Sequence, residues 1–213
     1  MDKLKRCIVF LIGLFISSLG VSLVTKAALG TSPITAIPYV LSLNFNPTLG
    51  TFTVYFSLLL VVLQLIILRK NFKLEHVLQI PVSILFGYFI DLTMIMIEKI
   101  NPDIYALKLV FLVIGCAVLA FGIYLEVIAD VVMLPGESFV RAIVSVMHTD
   151  FGKTKIVFDV SMTVTAVVLS FVFAYSLKGV REGTVAAALL VGFTVRIYAK
   201  LFKGLDKKLF RTA

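Results

Sequence analysis

The sequence predicts an all-α, polytopic helical membrane protein made of two inverted three-span repeats, each with a re-entrant half-helix. Three observations predict it: an apolar composition, a duplicated pattern of Gly and Pro, and two short segments that begin at a proline. Of the 213 residues, 60% are hydrophobic and 15% charged, and the mean hydropathy is +1.07. Because soluble domains carry about 45–50% apolar and about 25% charged residues, soluble and disordered chains are excluded.

The chain aligns with itself over most of its length. The matched pairs, each 102 positions apart, include Gly13 with Gly115, Gly20 with Gly122, Pro33 with Pro135, Gly50 with Gly152 and Phe56 with Phe158. In the last segment the offset becomes 105, since Gly87 aligns with Gly192. These spacings predict a first membrane repeat at 1–104 and a second at 105–213, and such duplication is typical of transporters and channels.

Each half contains three long apolar runs and one short segment. The long runs cover about 7–28, 51–69 and 77–97, then 105–129, 154–177 and 183–202. At about 1.5 Å per residue, each can cross a hydrocarbon core of about 30 Å. The short segments, about 33–42 and 135–147, cannot cross, and Pro38 interrupts the first. We expect both to be re-entrant half-helices whose backbone is satisfied by surrounding protein or a cavity.

Lys and Arg mark the cytoplasmic ends of membrane spans, and their distribution favours six crossings over eight. With six, 15 lie inside and 5 outside. The inner set is Lys3, Lys5, Arg6, Arg69, Lys70, Lys73, Arg141, Lys153, Lys155, Arg196, Lys200, Lys203, Lys207, Lys208 and Arg211; the outer set is Lys26, Lys99, Lys108, Lys178 and Arg181. We therefore expect a protein of the bacterial plasma (inner) membrane with both termini cytoplasmic. Three crossings per half is an odd number, so the halves are inverted.

The first candidate site is Gly30-Thr31-Ser32-Pro33, where the first span ends and the short segment begins. A proline suits the first turn of a helix, and the free N–H groups of that turn attract anions. Lys26 lies one turn earlier, so the predicted substrate-binding residues are Lys26, Thr31, Ser32 and Thr35. The other interpretation is a capped turn with a lysine that reaches the membrane interface.

The second half departs from the first, because Leu134-Pro135-Gly136-Glu137 has no hydroxyl before its proline and an acid in its first turn. We add Glu137 and Arg141 to the substrate-binding candidates, since residues four apart share a helix face. If Glu137 binds a ligand, a cation or a proton is favoured there over an anion. The other interpretation is that Glu137 caps its own helix.

Five charged residues in or beside the predicted spans are candidates for ion or proton coupling, because charges at membrane depth face a bundle interior or a cavity. They are Glu126, Asp130, Asp159, Asp91 and Arg196. Glu126 and Asp130 share one helix face, and Asp91 and Arg196 occupy equivalent positions of the two halves. Alternatively, Asp130 lies hydrated at the interface and Arg196 begins a basic C-terminal face. That face, from Lys200 to Arg211, predicts contact with anionic headgroups rather than nucleic acid.

The sequence contains no motif of enzymatic chemistry: no Gly-rich phosphate loop, no metal-ligand spacing and no Ser/His/acid set. His76 and His148 are isolated, and Cys7 and Cys116 lie in apolar runs, where two buried thiols are favoured over a bridge. We expect no enzymatic activity, no metal and no cofactor.

The stretch Lys26–Pro33, with Gly20 upstream and Gly50-Thr51 downstream, resembles the YczE/YitT family of bacterial integral membrane proteins. The stretches 87–91 and 183–192 are similar to the Gly-Thr…Gly pattern of that family. The resemblance covers nearly the whole chain without the cytosolic C-terminal domain of YitT-type members, which implies the YczE-like subgroup. Many members have Trp-Asp where this chain has Ile34-Thr35. The resemblance implies the fold and the location rather than an activity.

Together these observations predict a secondary transporter or permease-like protein for a small solute, expected to be anionic and coupled to protons. The alternative is a non-transporting membrane partner that assists or regulates another enzyme or complex. The expected partners are the lipid bilayer, the solute and a second copy of the chain in a homodimer.

Overall fold

The computed structural model of the chain describes residues 2–204 and 209. This part is helical, with nine α-helices, one 3₁₀ turn at Arg69–Asn71 and no strand. The helices are α1 (Asp2–Lys26), α2 (Pro33–Asn44), α3 (Leu49–Leu68), α4 (Leu74–Val77), α5 (Gln79–Met96), α6 (Tyr105–Ala129), α7 (Pro135–Met147), α8 (Phe151–Ala174) and α9 (Glu182–Leu201). Lys207, Lys208 and Arg211 of the predicted basic tail lie outside the described residues.

Six of the described helices are long and apolar enough to cross a membrane: α1, α3, α5, α6, α8 and α9. They coincide with the six predicted apolar runs, apart from a few residues at their ends. Large apolar side chains face outward from them, such as Leu189, which is 71% exposed. Such a surface is favoured by lipid and not by water. By length and composition, the prediction of a multi-pass helical membrane protein is confirmed.

The two short helices, α2 and α7, have 12 and 13 residues and begin at Pro33 and Pro135. A proline is favoured there because an N–H group in the first turn has no acceptor within the helix, so the N–H that proline lacks is not lost from a hydrogen bond. The bounds of α7 are the predicted ones, and α2 ends at Asn44 rather than at Ser42. Thirteen helical residues extend about 20 Å, which is less than a membrane core.

Residues on both sides of α2 lie at one end of the bundle, which we call the first end. There the Lys26 ammonium donates to the Glu98 carbonyl at 3.0 Å, and Lys26, Ser42 and Thr48 line one open depression. Because α1 ends and α3 begins at the first end, α2 does not cross the bundle.

The opposite end, which we call the second end, holds residues on both sides of α7. The Arg6 guanidinium at the start of α1 donates to the Ala129 carbonyl at the end of α6. Helix α8 finishes at the first end, where Phe173 packs edge-on against Phe45 with ring centroids 5.0 Å apart. It therefore begins at the second end, and α7 does not cross the bundle either.

The centre of the fold is the pair of α1 and α6, which pack along most of their length. A Cβ built on Gly13 would lie 3.0 Å from the Leu125 Cβ, and one built on Gly20 would lie 2.6 Å from the Leu119 Cβ. As residue numbers rise along α1, those of the contacted residues fall along α6. The two helices are therefore antiparallel, and glycines permit their close approach.

Candidate functional site

Helices α2 and α7 begin inside the bundle, and their N-termini meet. The Ile34 side chain fills the space that a Cβ of Gly136 would take, and it packs beside Leu60, near the middle of α3, and Phe158. Ile34 and Gly136 are themselves an equivalent pair at the offset of 102. Because the first-turn N–H groups of a helix carry partial positive charge, both helices present a positive end to the same region.

Five buried hydroxyl groups, which we call the hydroxyl cluster, surround the start of α2: Thr25, Thr31, Ser32, Thr35 and Thr184. The Thr35 hydroxyl lies 2.8 Å from that of Thr31 and 2.7 Å from that of Ser32. The Thr31 backbone N–H donates to the Thr184 hydroxyl of α9 at 3.3 Å. Ser32 is the N-cap residue, yet its hydroxyl makes no capping hydrogen bond. The structure thus brings together three of the predicted substrate-binding residues and adds two.

The start of α7 carries a charged cluster instead, made of Glu126, Glu137, Arg141, Lys155 and Asp159. The Glu137 carboxylate lies within electrostatic reach of the other four. Lys155 and Asp159 form an ion pair at 2.5 Å along one face of α8. No side chain caps α7 through a hydrogen bond, so Glu137 is not used as a cap. Three acids and two bases leave this cluster acidic when every group is ionised.

Glu126 ties the charged cluster to the central helix pair. Its side chain is 8% exposed and accepts a hydrogen bond from the Ser17 hydroxyl of α1 at 2.5 Å. A carboxyl group with so little access to water is a candidate proton carrier in a membrane protein. The partner Ser17 could not be singled out from the sequence, because a serine in an apolar run has no pattern of its own.

A buried amide network, also absent from the predicted site, joins α3 and α5 to α7. Gln64 and Gln79 exchange hydrogen bonds at 3.2 and 3.3 Å. Gln79 donates to the Ser138 hydroxyl at 2.8 Å, and Gln64 to the Pro135 carbonyl at 3.2 Å. The offset of 105 aligns Gln79 with Thr184, which contacts the start of α2. That alignment, applied to polar residues inside apolar runs, is the signal that could have indicated both Gln79 and Thr184.

Four predicted site residues lie away from this region. Lys26 is held at the first end by the Glu98 carbonyl. Asp91 caps the start of α3. Asp130 is exposed and ends α6 in the left-handed conformation, with φ of 50°. Arg196 is exposed on α9.

Two open depressions, of about 440 and 470 Å³, lie at opposite ends of the bundle. The four residues that line the second depression, Arg141, Val144, Ser145 and Phe151, correspond at the offset of 102 to four that line the first, Tyr39, Ser42, Leu43 and Leu49. Each depression lies beside the C-terminal part of one short helix. Open depressions therefore lie at both ends of the bundle, and the lining of neither includes the first turn of α2 or of α7.

A family model described as "Family of unknown function (DUF6198)" matches residues 4–200. The chain belongs to the DUF6198 family. It is similar to "Uncharacterized protein YyaS" of Bacillus subtilis (strain 168), with 32% identity over 118 residues. The match covers 54% of this chain and 57% of YyaS, so it spans little more than half the length of that curated relative. No solved structure matches the chain. Membership in DUF6198 brings no activity with it, and the resemblance to the YczE/YitT family stays a prediction.

Proposed function

We propose that the protein is a secondary transporter for a small anion, coupled to protons and built from two inverted repeats. The observation that carries the proposal is the contact of Ile34 with Gly136, where two equivalent half-helices meet at their N-termini. Paired half-helices at the interface of two repeats are the typical solute site of transporters with internal duplication.

The packing of α1 and α6 supports the inverted arrangement. Gly115 of α6, equivalent to Gly13, lies against Val24, where a Cβ would come within 2.8 Å of the backbone nitrogen. Val24 is in turn equivalent to Glu126, which Gly13 contacts. The contact between the two helices therefore maps onto itself when the halves are exchanged. Equivalent helices that are antiparallel are what an inverted repeat requires.

The chemistry of the site supports coupling of an anion to a proton. The hydroxyl cluster and the two positive helix ends offer hydrogen-bond donors and charge to an anion. An ionised Glu137 repels that anion, and a protonated Glu137 does not. Glu126 and Asp159 add to the repulsion, whereas Arg141 and Lys155 offset part of it. Anion binding therefore strengthens as pH falls and Glu137 takes up a proton.

Flux into proteoliposomes tests this function. A panel of small inorganic and carboxylate anions is first tested for stabilising the purified protein against heat at pH 5.5 and pH 7.5 (about two units apart, to change the ionisation of a carboxyl group). We expect at least one anion to stabilise it more at the lower pH, and a pH gradient, acidic outside, to drive that anion into the vesicles. Absence of both stabilisation and flux across the panel would contradict the proposal, and a stable hetero-complex would then favour the non-transporting partner.

A further inference from the structure

At the first end, α3 and α5 are held closely together. A Cβ built on Gly87 would lie 2.6 Å from the Gly50 carbonyl oxygen, so only glycine permits this approach. The Asp91 carboxylate accepts hydrogen bonds from the Thr48 hydroxyl at 2.6 Å and from the Gly50 N–H at 2.8 Å. A side chain of α5 thus holds the start of α3, and these two helices are in close contact at the first end.

At the second end, the equivalent residues of α8 and α9 are apart. In the described part of the chain, no close packing joins these two helices. A Cβ built on Gly192 meets nothing within 4 Å, and one built on Gly152 meets only the Asp150 carboxylate, at 3.2 Å. Asp150 and Arg196, which correspond to Thr48 and Asp91, are exposed. Among the described residues Arg196 forms no ion pair.

The second end nevertheless carries the groups for an equivalent contact between its two helices, with donor and acceptor exchanged. Thr48 caps α3 by accepting from the Thr51 N–H at 3.1 Å, and Asp150 caps α8 by accepting from the Lys153 N–H at 2.9 Å. At the first end the capping hydroxyl donates to a carboxylate. At the second end the capping carboxylate retains a free oxygen, and the equivalent position of α9 carries a guanidinium, which matches a carboxylate in shape and charge.

The glycines at these equivalent positions support the same comparison of the two ends. Glycine weakens a helix interior relative to alanine unless a close approach requires it. Gly50 and Gly87 have that requirement, whereas Gly152 and Gly192 have no neighbour that explains their size in this conformation.

We propose that the chain has a second conformation, in which α9 closes on the start of α8 through a Gly152–Gly192 contact and an Asp150–Arg196 ion pair. In that conformation α3 and α5 separate, so that the region between α2 and α7 opens to the first end. The inference rests on the proposed transport function, since alternating access requires each half to take both arrangements in turn.

Disulfide trapping in vesicles of phosphatidylethanolamine and phosphatidylglycerol tests the second conformation without any solute. The background carries Cys7→Ser and Cys116→Ala, which remove the native thiols. The Gly152→Cys/Gly192→Cys pair reports closure of the second end, and its glycines have room for a side chain. The Thr48→Cys/Asp91→Cys pair reports the contact between α3 and α5 at the first end. With copper phenanthroline as oxidant, we expect both pairs to form disulfides, and the first-end disulfide to prevent the second when all four thiols are present.

The role of Arg196 has a matched control on the same helix. In the Gly152→Cys/Gly192→Cys background, Arg196→Gln should slow disulfide formation about two- to five-fold, the population shift expected from one exposed ion pair. Lys200→Gln, which removes an exposed cation one turn further along α9, should leave the rate unchanged. Arg196→Lys, which keeps the positive charge and leaves the Asp150 cap of α8 intact, should restore most of it.

The second conformation would be overturned if the Thr48→Cys/Asp91→Cys pair formed its disulfide and the Gly152→Cys/Gly192→Cys pair did not. Equal rates for Arg196→Gln and Lys200→Gln would overturn the ion pair. Disulfides at both ends without flux for any anion would remove the transport function and leave the two conformations standing. Flux without a disulfide at the second end would remove the second conformation and leave the transport function standing.

Discussion

The Glu137→Gln variant is expected to bind and exchange its anion at pH 7.5 and to lose accumulation driven by a pH gradient. Glutamine resembles the protonated acid in shape and charge, so it no longer repels the anion, but it has no proton to release. Accumulation should fall about ten-fold, within the range typical of coupling between two ligand sites. Exchange of labelled anion across the membrane of anion-loaded vesicles is measured without a pH gradient, and accumulation is measured with one. The two activities are thereby measured separately.

Asp103→Asn is the matched control, because it also neutralises one acid but at an exposed position outside the site. It should leave both exchange and accumulation unchanged. A Glu137→Gln variant that still accumulates the anion in response to a pH gradient would show that Glu137 does not carry the coupling, and Glu126 would be the next carboxyl group to neutralise.

The second large effect is expected for Gly20→Ala, at the contact between α1 and α6. The new methyl group would lie 2.5 Å from the Leu119 Cα and 2.6 Å from its Cβ. Since backbone atoms form the obstacle, the helices must separate, and we expect stability to fall by about 1–3 kcal/mol. Thermal unfolding in detergent micelles measures the change.

Gly192→Ala is the control for helix propensity. Its Cβ meets nothing within 4 Å, so the substitution should stabilise α9 by about 0.5–1 kcal/mol, the usual gain of alanine over glycine. The two substitutions are chemically identical and should therefore change stability in opposite directions. Equal unfolding temperatures for both variants would contradict the close packing of α1 and α6.

The helices could be predicted from the sequence because their signals are local. A run of apolar residues defines each long helix, and Pro33 and Pro135 mark the start of each short one. The offset between Gly13 and Gly115 or between Gly20 and Gly122 also indicated which helices are equivalent. It could not show that all four glycines lie in the α1–α6 contact, where Gly13 faces Gly122, because that depends on how the helices pack.

The site could be predicted only in part. Thr31, Ser32 and Thr35 lie within five residues of one another at the start of α2, so their meeting follows from local structure. The approach of Glu126 to Glu137, and that of Gln64 to Ser138, joins segments distant in the sequence and depends on the docking of α7. The spacing in the sequence groups Lys26 with Thr31, but the chain leaves the α1 axis after Lys26, and the lysine remains at the first end.

The most direct test of the inverted arrangement is the side of the membrane at which equivalent residues lie. Asn46 and His148 are equivalent at the offset of 102, and both are exposed. In the background with Cys7→Ser and Cys116→Ala, single Asn46→Cys and His148→Cys variants are labelled with a membrane-impermeant maleimide in right-side-out and inside-out vesicles. Inverted repeats predict that Asn46→Cys is labelled only from outside and His148→Cys only from the cytoplasmic side. Labelling of both from the same side would contradict the account.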